Sequence, residues 1–244
     1  MNLTIDIGNT FTKAVVFDQD RIKWTHIYKN FSVSDLIRLW RISSNDVQGS
    51  ILSSVAKTEK KIIHFLQSNS SFVQLNTKTK LPVKNKYKTP ETLGSDRLAS
   101  AAGAAKLFPG KNSLVIDVGT CVKYDFITAK KEYLGGSISP GLMMRFKALH
   151  NFTDRLPLIQ PGTSRNFIGS STKDSILTGV QTGIIHEMNG FIEQYKKKYS
   201  SLNILLSGGD ASLFAGHIKS SIFAAPNLIH IGLHEILKCN VEQS

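Results

Sequence analysis

Acidic residues are scarce in this chain. Asp and Glu number 18 against 30 Lys and Arg among 244 residues, a formal net charge of +12. Such a balance raises the question of nucleic acid or another anionic partner. The lysines are nevertheless spread out. The densest stretch is KTKLPVKNKYK at 78–88, with KKK at 196–198 and KTEKK at 57–61. No helix-turn-helix, zinc-finger or RNA-recognition signature accompanies them, and charge runs of this kind are usually solvated surface. Nucleic acid is therefore not expected as a partner; a share of the excess suits a polyanionic small molecule such as ATP.

Cysteine is nearly absent. Cys121 and Cys239 form no disulfide framework and match no metal spacing. No apolar run approaches the roughly 20 residues of a membrane span. A basic n-region followed by an apolar h-region is missing too, because Asp6 sits where a signal peptide would be apolar. A cytoplasmic protein with no membrane contact is expected.

What is present is enough for a core, with 41% hydrophobic residues. The length suits one large domain or two of about 100 to 120 residues. Two segments decide for two. LTIDIGNTFTKAVVF at 3–17 and LVIDVGTCVKYDFI at 114–127 are both apolar runs broken by Asp-x-Gly and a small polar residue. Periodicity predicts strands over 2–8, 12–18 and 21–28, a helix over 32–42, a strand over 49–55, a helix over 59–68 and a strand over 71–76. A basic loop at 77–92 leads to an Ala-rich helix at 95–108. The second half starts again with strands over 113–118, 122–128 and 132–138, then a helix. An irregular stretch, 153–170, precedes a long helix from near Ser171; a strand at 203–207, a short helix, a strand at 227–231 and a terminal helix follow. This second half shows more helix and no evident counterpart of the middle strand. A repeated order with a repeated motif argues for internal duplication. The expected fold is a pair of α/β lobes, 1–110 and 111–244, each a mixed sheet flanked by helices, with a cleft between them.

The repeated turn has a chemical reading. In IDIGNT a carboxylate, Asp6, ends a buried strand, and Gly8 permits a tight turn that leaves backbone N–H groups uncovered. Asn9 and Thr10 add side-chain donors, and Lys13 follows on the next strand. A strand rather than a helix follows the turn, so this is a phosphate-holding hairpin and not a Walker loop. Asp6 is placed to approach the metal that accompanies phosphates. Asp117, Gly119 and Thr120 repeat the device, so two hairpins could clamp one triphosphate. Ordinary β-turns also favour Asp, Asn and Gly; two copies at corresponding places weigh against that plainer account. LLSGGDA at 205–211 delivers Gly208 and Gly209 to a helix start, which favours anions. A plain strand-to-helix connection has the same look. In YKTPETLGSDRLASAAGA, from Tyr87, Gly94 precedes a helix whose first turn carries Asp96 and Arg97. Asp96 reads either as helix-terminal charge compensation or as the group that aligns an attacking hydroxyl. Arg97 can pair with a carboxylate or a phosphate.

At these places the sequence resembles the type III pantothenate kinases, which share a fold of two duplicated ribonuclease H-like lobes with the actin-like ATPases and the acetate and sugar kinases. The resemblance rests on DIGNTFTK (6–13), YKTPETLGSDR (87–97), DVGTCVKYD (117–125), GGSISPG (135–141), RLP (155–157) and SGGD (207–210). It implies transfer of the γ-phosphoryl of ATP, with magnesium, to pantothenate. Asp6, Ile7, Gly8, Asn9, Thr10, Phe11, Thr12, Lys13 and Thr120 would bind ATP. Asp96 would be the proton acceptor; Tyr87, Gly94, Ser95, Asp96 and Arg97 would bind pantothenate. Asp117 would coordinate potassium or ammonium. Thr172, at the start of the long helix, would reach pantothenate across a homodimer interface, and it could also be that helix's N-cap. The apolar residues Ile176, Leu177, Val180, Ile184, Ile185 and Met188 exceed one narrow face and suit either such an interface or the lobe's own core. Ser207 stands where threonine is usual and Cys121 where alanine is common; Lys123 and Tyr124 are further departures. The rival readings are a nucleic-acid-binding or transcription accessory protein on the same fold, and another small-molecule kinase of the superfamily. Asp96 together with both phosphate hairpins speaks against the first, and the string from Tyr87 to Arg97 speaks against the second.

Overall fold

The computed structural model describes residues 1–43, 46–162 and 167–241. Its elements in chain order begin β1 (Asn2–Ile7), β2 (Thr12–Asp18), β3 (Arg21–Tyr28), α1 (Val33–Ile42), β4 (Gly49–Ser54), α2 (Lys60–Asn69), β5 (Ser71–Gln74), β6 (Lys84–Asn85) and α3 (Ser95–Leu107). They continue with β7 (Asn112–Val118), β8 (Cys121–Ile127), β9 (Glu132–Pro140), α4 (Leu142–Asn151), α5 (Thr172–Leu177) and α6 (Gly183–Lys198). The last are β10 (Leu202–Ser207), α7 (Ala211–Phe214), β11 (Phe223–Ala224) and α8 (Leu228–Val241).

Two compact units result. One comprises Met1–Gly110, Ala129–Leu134 and Asn227–Ser244; the other comprises Lys111–Thr128 and Gly135–Pro226. In the first, the sheet order is β3-β2-β1-β4-β5. β1 runs antiparallel to β2 and parallel to β4, and β4 runs parallel to β5. In the second unit the order is β9-β8-β7-β10-β11, and β6 adds to the start of β9. β7 is antiparallel to β8 and parallel to β10, which is parallel to β11. The two sheets therefore repeat one topology strand for strand. No strand is missing from the second half. Instead α4, α5 and α6 all lie between β9 and β10, where the first unit has α1 alone between β3 and β4.

Local chemistry explains the boundaries. α1 begins at a capping box: Asp35 N–H donates to Ser32 Oγ, and Ser32 N–H donates to the Asp35 carboxylate. The core of the first unit is built from Leu3, Ile5 and Val16 of its sheet against Leu36, Leu39, Ile62 and Leu66 of α1 and α2. That of the second unit sets Leu114, Ile116, Val122 and Ile204 against Phe146, Ile184, Met188 and Ile192. Near-continuous burial along β1, β2, β4, β7 and β8 and helical spacing along the helices supply these faces.

Two sequence expectations change. The run NLIHI at 227–231 is not a strand; it is the start of α8, which buries Leu228, Leu233, Ile236 and Leu237. Its brief alternation is too short to separate a strand from a helix, and the helical spacing downstream decides. The long helix from Ser171 is interrupted by a π-helical turn over Thr178–Thr182 between α5 and α6. Ile176, Leu177, Val180, Ile184 and Met188 all enter the core of their own unit, so they are not a free interface.

α8 packs along α3, the last helix of each repeat against its counterpart. Both are built for close approach. A Cβ on Gly232 would lie 1.8 Å from the Ala99 carbonyl oxygen, and one on Gly103 would lie 2.3 Å from that of Leu228. With Ala99, Ala101, Ala102 and Ala104 buried around it, α3 can be held from several sides.

Candidate active site

The first hairpin turns over Gly8–Phe11, closed by Gly8 N–H donating to the Phe11 carbonyl at 3.0 Å. The β1–β2 register places Asp6 opposite Lys13. Burial holds the Lys13 ammonium below its usual pKa, and the Asp6 carboxylate opposes that shift. Residues Ile7, Gly8, Asn9, Thr10, Phe11 and Thr12 line a pocket of about 220 Å³ that also takes in Lys29 and Lys57. Six of the eight residues from Asp6 to Lys13 thus line one concavity, together with Lys29, Lys57 and Glu59. Lys29 and Lys57 were hidden in sequence among ordinary surface lysines.

A hydrogen-bond chain leads from this hairpin to α3. Ser53 Oγ, at the end of β4, donates to Asp6 Oδ1 at 2.8 Å and lies 3.0 Å from Ser95 Oγ. The parallel pairing of β1 and β4 puts Asp6 and Ser53 side by side at the carboxyl ends of their strands. Ser95 opens α3, so Asp96 and Arg97 follow directly. The helix N-cap is Gly94, and the Asp96 carboxylate accepts from Arg97 N–H at 2.9 Å. Arg97 is buried, with its guanidinium 5.7 Å from the centre of the Tyr87 ring. Tyr87 in turn lies 6.2 Å from the ring of Tyr133. The structure therefore collects Tyr87, Gly94, Ser95, Asp96 and Arg97 around one helix start and ties them to Asp6 through Ser53. Neither Ser53 nor Tyr133 was singled out from sequence.

In the second unit, Gly119 N–H donates to the Cys121 carbonyl at 3.0 Å and Gly141 N–H to that of Thr120 at 3.0 Å. Gly208 has a φ of +99° and backs onto Val118, and Asp210 N–H donates to the Val118 carbonyl at 3.0 Å. A side chain at Gly208 would collide with that strand, which accounts for the glycine. Ser207 pairs with Asp117 across β10 and β7. Asp117, Thr120 and the SGGD turn accordingly gather at one end of this sheet. Burial raises the Asp210 carboxyl above its usual pKa.

Asp117 and Thr172 have these surroundings. The resemblance gives Asp117 to a monovalent cation; in the structure its Oδ2 is bonded by Lys123 Nζ at 2.6 Å. Thr172 is not the N-cap of α5. Ser171 is, donating to the Asp174 carboxylate at 2.7 Å and accepting from Asp174 N–H at 3.1 Å. Thr172 is left exposed as the first helical residue. Tyr124 is structural: it is buried, its hydroxyl donates to Glu187 at 2.8 Å, and its ring stacks on Phe191. Burial and Glu187 push its pKa up.

The whole chain has close relatives. It is 43% identical over 243 residues to a type III pantothenate kinase of Christiangramia forsetii, covering 100% of each chain. It is equally 43% identical to that of Phocaeicola vulgatus over 241 residues, 98% of this chain and 99% of the other. Among solved structures, a protein of Campylobacter jejuni described as a Baf family transcriptional activator superposes with a TM-score of 0.62 at 20% identity, covering 98% and 99%. A protein of Sinorhizobium meliloti described as a 2-dehydro-3-deoxygalactonokinase gives 0.59 at 10% identity, covering 99% of each. At such identities these two show the shared fold, two ribonuclease H-like units as in the sugar kinases, and nothing of activity. The family model for type III pantothenate kinase matches residues 2–194, and the chain belongs to that family.

Proposed function

We infer that this chain transfers the γ-phosphoryl of ATP to the primary hydroxyl of pantothenate, giving 4′-phosphopantothenate, the first committed intermediate towards coenzyme A. The observation that carries the reading is the Asp6–Ser53–Ser95 chain. It joins a turn suited to phosphate with the helix start that bears Asp96 and Arg97, inside one unit. Kinship over the full chain makes pantothenate the acceptor to test first. It also weighs against the transcription-accessory reading, which rests on net charge alone.

Residues Asp6 to Lys13 are assigned to ATP, with Thr120 from the second hairpin. Exposed backbone N–H groups at the turn and the Lys13 ammonium suit the phosphates. A single carboxylate at Asp6 fits magnesium, which takes one or two protein carboxylates and completes its shell with phosphate oxygens and water. When bound, that ion would offset the negative charge of the transferred group. Asp96 is assigned to accept the hydroxyl proton and align its oxygen. Arg97 is held under Tyr87 and offers charge to the pantothenate carboxylate. Positioning and electrostatics carry most of phosphoryl transfer, so a modest base suffices. An added potassium or ammonium ion does not fit Asp117, whose oxygen Lys123 already holds, and no step is assigned to one.

The protein is assigned to the cytoplasm on its family membership. Among the described residues no helix is long and apolar enough to cross a membrane. A homodimer is supported by a surface other than the one expected from sequence. Phe167 and Ile168 are 79% and 78% exposed just ahead of α5, and Phe152 is 87% exposed after α4. These side chains are assigned to a two-fold contact between like surfaces, and Thr172 follows Phe167 and Ile168 closely in sequence.

The test is release of ADP in the presence of pantothenate, a hexose, or a short carboxylate such as acetate. Pantothenate alone should support turnover. Equal turnover with a sugar, and none with pantothenate, would assign the site to another kinase of the superfamily.

A further inference from the structure

The contact between Asp117 and Lys123 is set by the backbone. The β7–β8 register places the two residues directly opposite each other, and the Gly119–Cys121 hydrogen bond fixes the turn that sets this register. Lys123 Nζ meets Asp117 Oδ2 at 2.6 Å, with the two side chains only 17% and 10% exposed. The first unit repeats the arrangement, with Asp6 opposite Lys13 in the β1–β2 register. The two hairpins share this register, but the Asp6 carboxylate accepts from the Ser53 hydroxyl at 2.8 Å, whereas that of Asp117 is held by an ammonium.

A lysine ammonium supplies what a bound monovalent cation would supply at a carboxylate: one positive charge, delivered through N–H donors. Being covalently tethered, it is present at every turnover and needs no ion from solution. A second cation at the same carboxylate would face Nζ at short range in a poorly solvated place, where like charges repel strongly. We propose that Lys123 is a built-in cation at Asp117, so that this enzyme neither needs nor responds to potassium or ammonium. The proposal rests on the kinase reading above.

Initial rates of pantothenate phosphorylation are compared in potassium, ammonium, sodium and tetramethylammonium chloride at equal ionic strength. The affinity for ATP is measured by calorimetry in the same salts. The wild-type protein should show the same rate and the same ATP affinity in all four. Lys123→Met keeps the apolar stem and removes the charge. In tetramethylammonium its rate and ATP affinity should fall by about tenfold or more, the scale of a lost electrostatic contact, and potassium or ammonium should restore both. Lys123→Arg retains a charge and should stay indifferent to the salt. Activation of the wild-type protein by potassium would overturn the proposal, and that arm needs no variant to fold. A folded Lys123→Met protein that potassium cannot rescue, or that loses nothing, would overturn it as well. Failure of the kinase reading has its own signature: no phosphopantothenate in any salt. The calorimetric arm would still report whether ATP affinity depends on the ion.

Discussion

At the residue scale, the candidate site depends on side chains that polarise one another. Burial lowers the pKa of Lys13 and the facing Asp6 opposes that shift, so its ammonium depends on the carboxylate beside it. Lys13→Ala should raise the Michaelis constant for ATP by about tenfold or more, the scale of a lost charge-assisted contact, and leave that for pantothenate nearly unchanged. Steady-state kinetics with each substrate varied in turn checks this; a defect confined to pantothenate would move the hairpin's role to the acceptor. Ser53→Ala removes the shared partner of Asp6 and Ser95. Two partly buried polar groups then lose a hydrogen bond, at about 0.5–1.5 kcal/mol. Urea unfolding should show that loss together with slower turnover. Asp6, Gly8 and Lys13 were legible because a turn gathers neighbours in sequence. Ser53 was not, because it reaches Asp6 from a strand 47 residues away. Lys123 stood out in sequence only as a departure from the family pattern; its partner became visible once the hairpin register was known.

At the element scale, α3 and α8 are the critical pair, because α3 carries the Asp96 end of the site. Gly232→Ala would press a methyl group against the Ala99 carbonyl, and backbone cannot yield as a side chain can. Destabilisation of about 1–3 kcal/mol is expected, with a loss of activity as α3 shifts. Wild-type unfolding free energy in that variant would show that the helices have slack. α8 also sets a pH response. His230 is fully buried and hydrogen-bonds Thr4 Oγ1 at 2.8 Å through Nδ1. Burial first, and then the charge of Lys13, push its pKa down from 6.5 to about 3. The unfolded chain therefore binds this proton more readily than the folded one. The stabilisation is complete above pH 6.5 and is lost as pH falls towards 3. In that window the single group should contribute about 1.4 kcal/mol per pH unit. Urea unfolding of the wild-type protein and of His230→Asn at several pH values should show a shallower slope in the variant; equal slopes would acquit His230. Most elements were legible from period alone. The strand expected at 227–231 failed because a five-residue, largely apolar run at the start of a buried helix mimics a strand. The π-helical turn failed because the apolar spacing continues through it, and only the backbone path records the extra residue.

At the scale of the whole molecule, duplication organises everything else. It was readable from two Asp-x-Gly turns, and the matching strand orders β3-β2-β1-β4-β5 and β9-β8-β7-β10-β11 give it structural form. The placement of α8 with the first unit was not readable, since chain order does not reveal which sheet a terminal helix covers. A dimer built on the exposed Phe167 and Ile168 should run at twice the mass of one chain in sedimentation. Replacing both with Glu should yield monomers, following the usual two-fold pairing of like surfaces. Thr172→Ala should raise the Michaelis constant for pantothenate with little effect on ATP. A fully active monomer would show that each site is built from one chain. The central claim is that Asp96 prepares the pantothenate hydroxyl for attack, and single-turnover formation of 4′-phosphopantothenate tests it most directly. With ATP and pantothenate saturating, Asp96→Asn should bind ATP as the wild-type protein does and form product slower by about two orders of magnitude or more; product formation at the wild-type rate would contradict the account.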